Sequence, residues 1–161
     1  MLKRCYDPKY HNSRPTYIGC TVCDEWLYFS KFKEWFDKNY RYDLEEQGIK
    51  LHLDKDLLSK DIKTYSPDTC CFIPSEVNLF MTNKKSTNYS GATGVCLDKN
   101  KKKWRARIKE FNTGKNKNLG YFDNIKDAEI AYSIARNNEA TKVKKYLKGL
   151  GYEDSLISRI R

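Results

Sequence analysis

The sequence predicts an α+β protein built from two small modules. A strand–loop–strand–helix pattern lies in the first half, and three short strands followed by one helix lie in the second. The charge divides at the same place. Residues 1–80 carry 12 Lys and Arg against 13 Asp and Glu, whereas residues 81–161 carry 19 against 8. All the excess positive charge behind the net +10 therefore lies in the second half.

This uneven charge is typical of a reaction module joined to a module that binds a polyanion. A basic, solvated surface without a partner is the alternative. Aromatic residues make up 14% of the 161-residue chain, which is too many for a disordered one. No apolar run approaches the length of a membrane helix, and the start MLKRCYDPKY lacks the apolar core of a signal peptide. We therefore expect a protein with no membrane partner, located in the cytoplasm.

Composition changes predict the module boundaries. We expect a first domain at residues 1–80, with residues 1–50 as support for a site that follows. The polar, glycine-bearing stretch NKKSTNYSGATG predicts a linker at residues 81–91. A second domain is expected at residues 92–142 and a basic tail at residues 143–161.

The N-terminal support combines a predicted loop with a predicted helix. The segment RCYDPKYHNSRPTY is rich in Pro, Asn, Ser and Tyr, which predicts a loop. Ser30 is a candidate helix cap. Aromatic side chains then recur at roughly helical spacing and predict a stripe that packs into the core: Phe29, Phe32, Trp35, Phe36 and Tyr40.

The six cysteines predict reduced thiols rather than a framework of disulfides. Cys20 and Cys23 have the C-x-x-C spacing that supplies half of a zinc site. No second pair with metal-ligand spacing occurs in the sequence, so we do not expect zinc as a cofactor.

Residues 51–78 carry the candidate active site. Apolar Leu51 and Leu53 alternate with His52 and Asp54, which predicts a strand with the two polar side chains on one face. The turn-prone segment LLSKDIKTYSPDT follows, and CCFI then predicts a second strand that Pro74 closes. The segment SEVNLF begins a helix, with Ser75 as the expected cap and Asn78 on the first turn.

This layout and its residues resemble the HNH endonucleases, in particular a phage branch with the wording LDKD…YSP.TC.F.P…N. The resemblance implies a ββα-metal fold in which His52 is the general base and Asp54 and Asn78 complete the catalytic set. Thr69 stands where the family has an Asn that holds the loop, and we expect its hydroxyl to replace that Asn only in part.

The resemblance also implies a cofactor, Mg²⁺ or another divalent cation, with Asp54 and Asn78 as ligands. Leu51 stands where the family usually has a metal-binding Asp or His. Asp56 is the expected substitute ligand, two residues past Asp54 on the same strand face.

The basic module begins with the short strand GVCLDKN. In the next strand, apolar Trp104, Ala106 and Ile108 alternate with cations, which predicts a core face and an all-cationic face. NLGYF predicts the third strand, and Asp123 or Asn124 is expected to cap a helix. The helix presents a stripe of small and aromatic side chains: Ala128, Ala131, Tyr132 and Ala135.

The tail KVKKYLKGLGYEDSLISRIR predicts an extension of this helix. A break is expected at Gly149-x-Gly151, followed by a short second helix.

The pattern GV…KW.A.I…LG.F….DAE.AY over residues 91–140 resembles the Apetala-type DNA-binding domain of plant ethylene-response factors, which also occurs in phage nucleases. It implies a three-stranded antiparallel sheet with one packed helix and double-stranded DNA as partner. Cys96 and Asp98 stand where the plant domains carry arginines, so their sequence preference should not be transferred. The side chains expected at DNA are Lys103, Arg105, Arg107, Lys109, Lys117 and Asn118.

Three functions remain open at this point. The first is a phage-type homing endonuclease that cleaves DNA in the cytoplasm of a bacterial host. The second is an inactive phage DNA-binding protein, regulatory or anti-defence, that keeps the HNH scaffold. The third is a module whose basic face binds an acidic protein.

Overall fold

The computed structural model describes residues 1–59, 62–82 and 90–161, and the chain divides into the units Met1–Asn78 and Leu79–Arg161. Helices and small sheets are mixed, which confirms the α+β class. Most of the predicted linker, residues 83–89, lies outside the described residues, as do residues 60–61 of the turn-prone segment. The first unit contains α1 (Leu2–Tyr6), α2 (Pro8–Ser13), β1 (Thr21–Val22), α3 (Phe29–Asn39), α4 (Tyr42–Glu46), β2 (Leu51–Asp54), β3 (Thr64–Tyr65), β4 (Cys71–Pro74) and the start of α5 (Ser75–Met81).

The N-terminal segment is helical, so the prediction of a loop there was wrong. Asp7 caps α2, because its carboxylate accepts hydrogen bonds from the backbone N–H groups of Lys9 and Tyr10. Pro8 occupies the first helical position, where a missing N–H costs nothing. Pro8, one of the residues that suggested a loop, therefore starts a helix here.

The predicted aromatic stripe lies on α3 and contributes to the core. Phe32 and Trp35 pack on Trp26 with ring centroids 5.1 and 4.6 Å apart. Phe29, at the first position of the helix, is 75% exposed and does not join this core. The predicted cap at Ser30 was wrong, because the helix starts one residue earlier and Tyr28 holds the capping position without a side-chain hydrogen bond.

Two small sheets organise the rest of the first unit. β1 and β3 pair in parallel, and β2 and β4 pair antiparallel with Leu53 opposite Phe72. The core beneath them includes three buried thiols, which act as small apolar groups. The buried members of this core are Cys5, Cys20, Val22, Trp26, Tyr65 and Cys70.

The second unit is a three-stranded antiparallel sheet covered by one long helix, with strand order β5–β6–β7. Asn124 caps the helix by accepting a hydrogen bond from the Asp127 N–H, which confirms one of the two expected caps. The break after Gly149 and the short final helix are also confirmed. Its elements are β5 (Val95–Asp98), β6 (Lys103–Lys109), β7 (Asn116–Phe122), α6 (Ile125–Gly149) and α7 (Asp154–Ile157).

The core of this unit lies between the sheet and α6. Its buried centre is made of small side chains, Val95, Ala106 and Ala128, so the helix can approach the sheet closely. Gly94 has φ +72°, and a Cβ there would lie 2.2 Å from the Tyr132 ring and 2.7 Å from the Arg107 carbonyl oxygen. Glycine is thus required at the start of β5 by both backbone and space.

Glu139 joins α6 to the end of the central strand. Its buried carboxylate accepts a hydrogen bond of 2.8 Å from the Phe111 N–H. It also forms an ion pair with the Lys142 ammonium at 2.6 Å. Lys142 and Phe111 outweigh the burial of the group and lower the pKa of Glu139. A buried charge satisfied in this way fixes the β6–β7 turn against the helix.

Candidate functional site

The strand–loop–strand–helix of residues 51–81 has the predicted order, with antiparallel strands followed directly by α5. In the hairpin, His52 lies opposite Ile73 and Asp54 opposite Cys71. His52 and Asp54 are two residues apart in one strand, so they share a face at a Cα separation of roughly 7 Å. His52 is exposed, and its imidazole has no hydrogen-bond partner among the described residues.

Asp54 is held by the turn that follows its strand. Its Oδ1 accepts hydrogen bonds from the N–H groups of Asp56 at 3.0 Å and Leu57 at 2.7 Å. Burial is the main influence on the pKa of Asp54 and raises it, against the opposing effect of the Leu57 hydrogen bond.

The second oxygen of Asp54 has no hydrogen-bond partner among the described residues. It is also not a buried unsatisfied atom, because within the described chain only Arg105 Nε has that property. The turn therefore fixes one oxygen of Asp54 and leaves the other without a protein partner.

Asp56 lies in the turn after β2, so the expectation that it shares a strand face with Asp54 was wrong. Its carboxylate is paired with the ammonium of Lys55, whose buried chain places that group 5.9 Å from the centre of the Tyr65 ring. Because the Lys55 ammonium already balances the charge of the Asp56 carboxylate, Asp56 is a weaker candidate for a second metal ligand.

Asn78 lies on the first turn of α5, as expected. The expected cap at Ser75 was wrong, because Ser75 is the first residue of the helix. The register places Pro74 opposite Leu51, so α5 starts at the Leu51 end of the hairpin. Asp54 lies at the other end, three strand residues or roughly 10 Å along.

Asp54 and Asn78 have the donor chemistry of a hard-cation site, but the hairpin places them at opposite ends. Within residues 1–59, 62–82 and 90–161, no group of three His, Cys, Asp or Glu side chains comes together as a metal site. A carboxylate and a carboxamide oxygen are hard donors, and Mg²⁺ is commonly held by so few protein ligands.

Cys20 is buried in the core cluster, with Cys23 packed against it.

Thr69 holds the loop before β4. Its buried hydroxyl donates to the Thr64 carbonyl oxygen at 2.7 Å and accepts from the Ser66 N–H at 3.0 Å. Sequence reasoning expected only a partial replacement for asparagine here, but one hydroxyl supplies both a donor and an acceptor.

The second candidate site is the face of the second unit's sheet that points away from α6, here termed the outer sheet face. Ala106 and Ile108 are buried on the opposite side, so Arg105, Arg107 and Lys109 share the outer sheet face. Directly paired residues point the same way. The outer sheet face therefore contains Cys96, Asp98, Lys103, Arg105, Arg107, Lys109, Asn116, Asn118 and Tyr121.

Two of the lysines predicted to contact DNA are either on the other side of the sheet or paired with an acidic residue. Lys117 lies opposite buried Ile108, so it points to the helix side of the sheet, and its ammonium is 3.8 Å from Glu110. Lys103 lies on the outer sheet face but is paired with Asp123 at 3.0 Å.

The sequence did not predict Tyr121 on the outer sheet face, because the alternation of sides along β7 is interrupted. Simple alternation from Asn116 and Asn118 would turn Tyr121 inward. A bulge between Ala106 and Arg107 places Gly120 opposite Ala106 and Asn118 opposite Arg107, which turns Tyr121 outward. Gly120, with φ +136°, was the one sequence signal for such a bulge.

Comparison with protein-family models, curated proteins and solved structures finds no match to this chain. Within the part of the chain that the structure describes, none of the helices combines the length and apolar character needed to cross a membrane.

Proposed function

We propose that this protein is a metal-dependent DNA endonuclease of the HNH type whose second unit binds duplex DNA. The observation that carries the proposal is the hairpin of β2 and β4 followed by α5. It presents the exposed imidazole of His52 and a carboxylate oxygen of Asp54 that has no protein partner on one strand face. The resemblance of LDKD…YSP.TC.F.P…N to the phage HNH enzymes supports the same chemistry.

In this proposal His52, as the neutral imidazole, accepts a proton from water. The water oxygen forms a bond to phosphorus, and the bond from phosphorus to the leaving sugar oxygen breaks. That oxygen takes a proton from solvent, which leaves a hydroxyl end and a phosphate monoester end. Asp54 would hold a divalent cation that keeps water as its other ligands, and the bound cation would stabilise negative charge on the scissile phosphate and the leaving oxygen.

Nicking of a supercoiled plasmid by the full chain tests this proposal. Nicking is expected with Mg²⁺ or Mn²⁺ and not with EDTA. Binding of the plasmid without nicking under any of these conditions would reject the endonuclease. It would support the second candidate, an inactive DNA-binding protein, which is favoured by the use of Asp54 as a cap of its own turn.

The raised pKa of Asp54 leads to a prediction about pH. A ligand carboxylate must be ionised, so Mn²⁺ affinity should fall at a higher pH than it would for an ordinary aspartate. Without metal the sign is opposite: the folded state binds the proton more tightly than the unfolded chain does. The stability contribution of Asp54 therefore grows as pH falls through its folded pKa.

Isothermal titration of Mn²⁺ at several pH values measures the first effect. Asp54→Asn is the control, because the amide oxygen can still accept from Asp56 and Leu57 while the charge is lost. We expect this variant to lose Mn²⁺ binding and to be no less stable than the wild type at neutral pH. Equal Mn²⁺ affinity in the two proteins would exclude Asp54 as a ligand.

DNA binding through the outer sheet face is tested by two exposed lysines on opposite sides of the sheet. Lys109→Ala and Lys117→Ala remove the same charge from opposite sides of the sheet. We expect Lys109→Ala to weaken duplex binding and to reduce the slope of log affinity against log salt by roughly 0.9, the value for one phosphate contact. Lys117→Ala should leave the slope unchanged, and fluorescence anisotropy over a salt series measures both.

Equal slopes for the two variants would mean that DNA is attracted by net charge rather than bound at this face. An unchanged slope in the double variant Arg107→Ala/Lys109→Ala would reject the outer sheet face as the binding surface.

A further inference from the structure

Arg105 differs from Arg107 and Lys109 on the outer sheet face because it contacts neighbouring side chains. It lies in the central strand, directly opposite Cys96 on one side and Tyr121 on the other. Its Nη2 donates to the Cys96 sulfur at 3.6 Å. Arg107 and Lys109 are exposed and have no side-chain partner among the described residues.

Tyr121 is in turn contacted by Lys101. The ammonium of Lys101 lies 3.7 Å from the centre of its ring, a cation–π contact. The contacts with Cys96 and then with Tyr121 raise the pKa of Arg105 above its usual value. Arg105 is thus flanked by one side chain that accepts from it and by another that is held in place.

These contacts leave only some of the Arg105 N–H donors available to a ligand. Its Nε is buried and has no hydrogen-bond partner in the described structure. A guanidinium has five N–H donors, and one of these goes to Cys96 while the Nε–H is shielded. Each terminal nitrogen keeps at least one donor, and a pair of such donors, one from each nitrogen, matches the O6 and N7 acceptors of guanine.

We propose that Cys96 is a positioning residue that fixes the guanidinium plane of Arg105, so that Arg105 determines base specificity. The inference rests on the proposed DNA binding and assigns different contacts to the cations of the outer sheet face. Arg105 reads a guanine end-on in the major groove, while Arg107 and Lys109 contact phosphates. A held side chain loses less freedom on binding, and its fork points in one direction, which is what discrimination between bases requires.

The test is selection of duplexes from a randomised pool, followed by affinity measurements on the selected site and on a scrambled duplex. The wild type should select a guanine at one position and prefer it over other bases by about 5- to 150-fold, the range for one bidentate contact. Arg105→Lys should lose this preference. It should keep its affinity for the scrambled duplex, since the charge is unchanged.

Cys96 variants separate positioning from folding. Cys96→Val has similar volume but no acceptor, and it should lose most of the preference at that position only. Cys96→Ser keeps an acceptor and should retain more of the preference than Cys96→Val. Cys23→Ser, at another half-buried thiol in the first unit, is the control and should select the wild-type site.

Each outcome decides the proposal. An unchanged preference in Cys96→Val would overturn the positioning role, and an unchanged preference in Arg105→Lys would overturn the reading role. If the wild type binds duplexes with salt dependence but without base preference, the inference fails while DNA binding stands. If the wild type binds no DNA, both fail.

Discussion

Replacing His52 with alanine is expected to lower the rate of metal-dependent DNA cleavage by about 100- to 10,000-fold, the usual contribution of a general base. The imidazole is exposed on the face that carries Asp54, and no described protein group competes for its nitrogens. Its removal should therefore affect the reaction without disturbing the hairpin. Single-turnover nicking with saturating protein measures the chemical step.

The chain supplies a matched control, because it has only two histidines. His11 lies on α2, where its Nε2 is 2.8 Å from the Arg4 carbonyl oxygen. His11→Ala should cleave at the wild-type rate. Both variants should bind duplex DNA as the wild type does, since neither residue is in the second unit. Equal cleavage by wild type and His52→Ala would remove the nuclease assignment from this hairpin.

Replacing Phe72 with alanine is expected to reduce the free energy of unfolding of the first unit by about 3–5 kcal/mol. The Phe72 ring is buried, with ring-centroid distances of 5.4 Å to Trp35, 5.1 Å to Phe36 and 5.0 Å to Tyr40. It also lies opposite Leu53 in the hairpin. The loss is large beside a total stability of roughly 5–15 kcal/mol for a typical domain.

Urea unfolding followed by tryptophan fluorescence measures this loss, because Trp35 lies against Phe72. Phe29→Ala is the control: the same side chain is removed from a position that is 75% exposed, so the change should be within about 0.5 kcal/mol. A small loss in Phe72→Ala would show that this aromatic group does not support the hairpin. A large one should also lower cleavage, because β4 orients the strand of His52 and Asp54.

The sequence by itself determined the elements whose signals are local. Alternation identified β2 and β6, and the helical stripe identified α3 as part of the core. The caps and breakers located the start of α6 at Asp123 or Asn124, of which the structure selects Asn124, and its end near Gly149. Each of these depends on a residue and its near neighbours, through strand or helix periodicity and backbone hydrogen bonds.

Only the tertiary structure decided how side chains are used across elements. The bulge opposite Arg107 turned Tyr121 outward, and pairing with Ile108 turned Lys117 away from the outer sheet face. The loop contacts of Thr69 and the pairing of Asp56 with Lys55 likewise depend on the folded backbone. Strand register and turn geometry set which partner a polar group finds, and a shift of one residue reverses the face on which it lies.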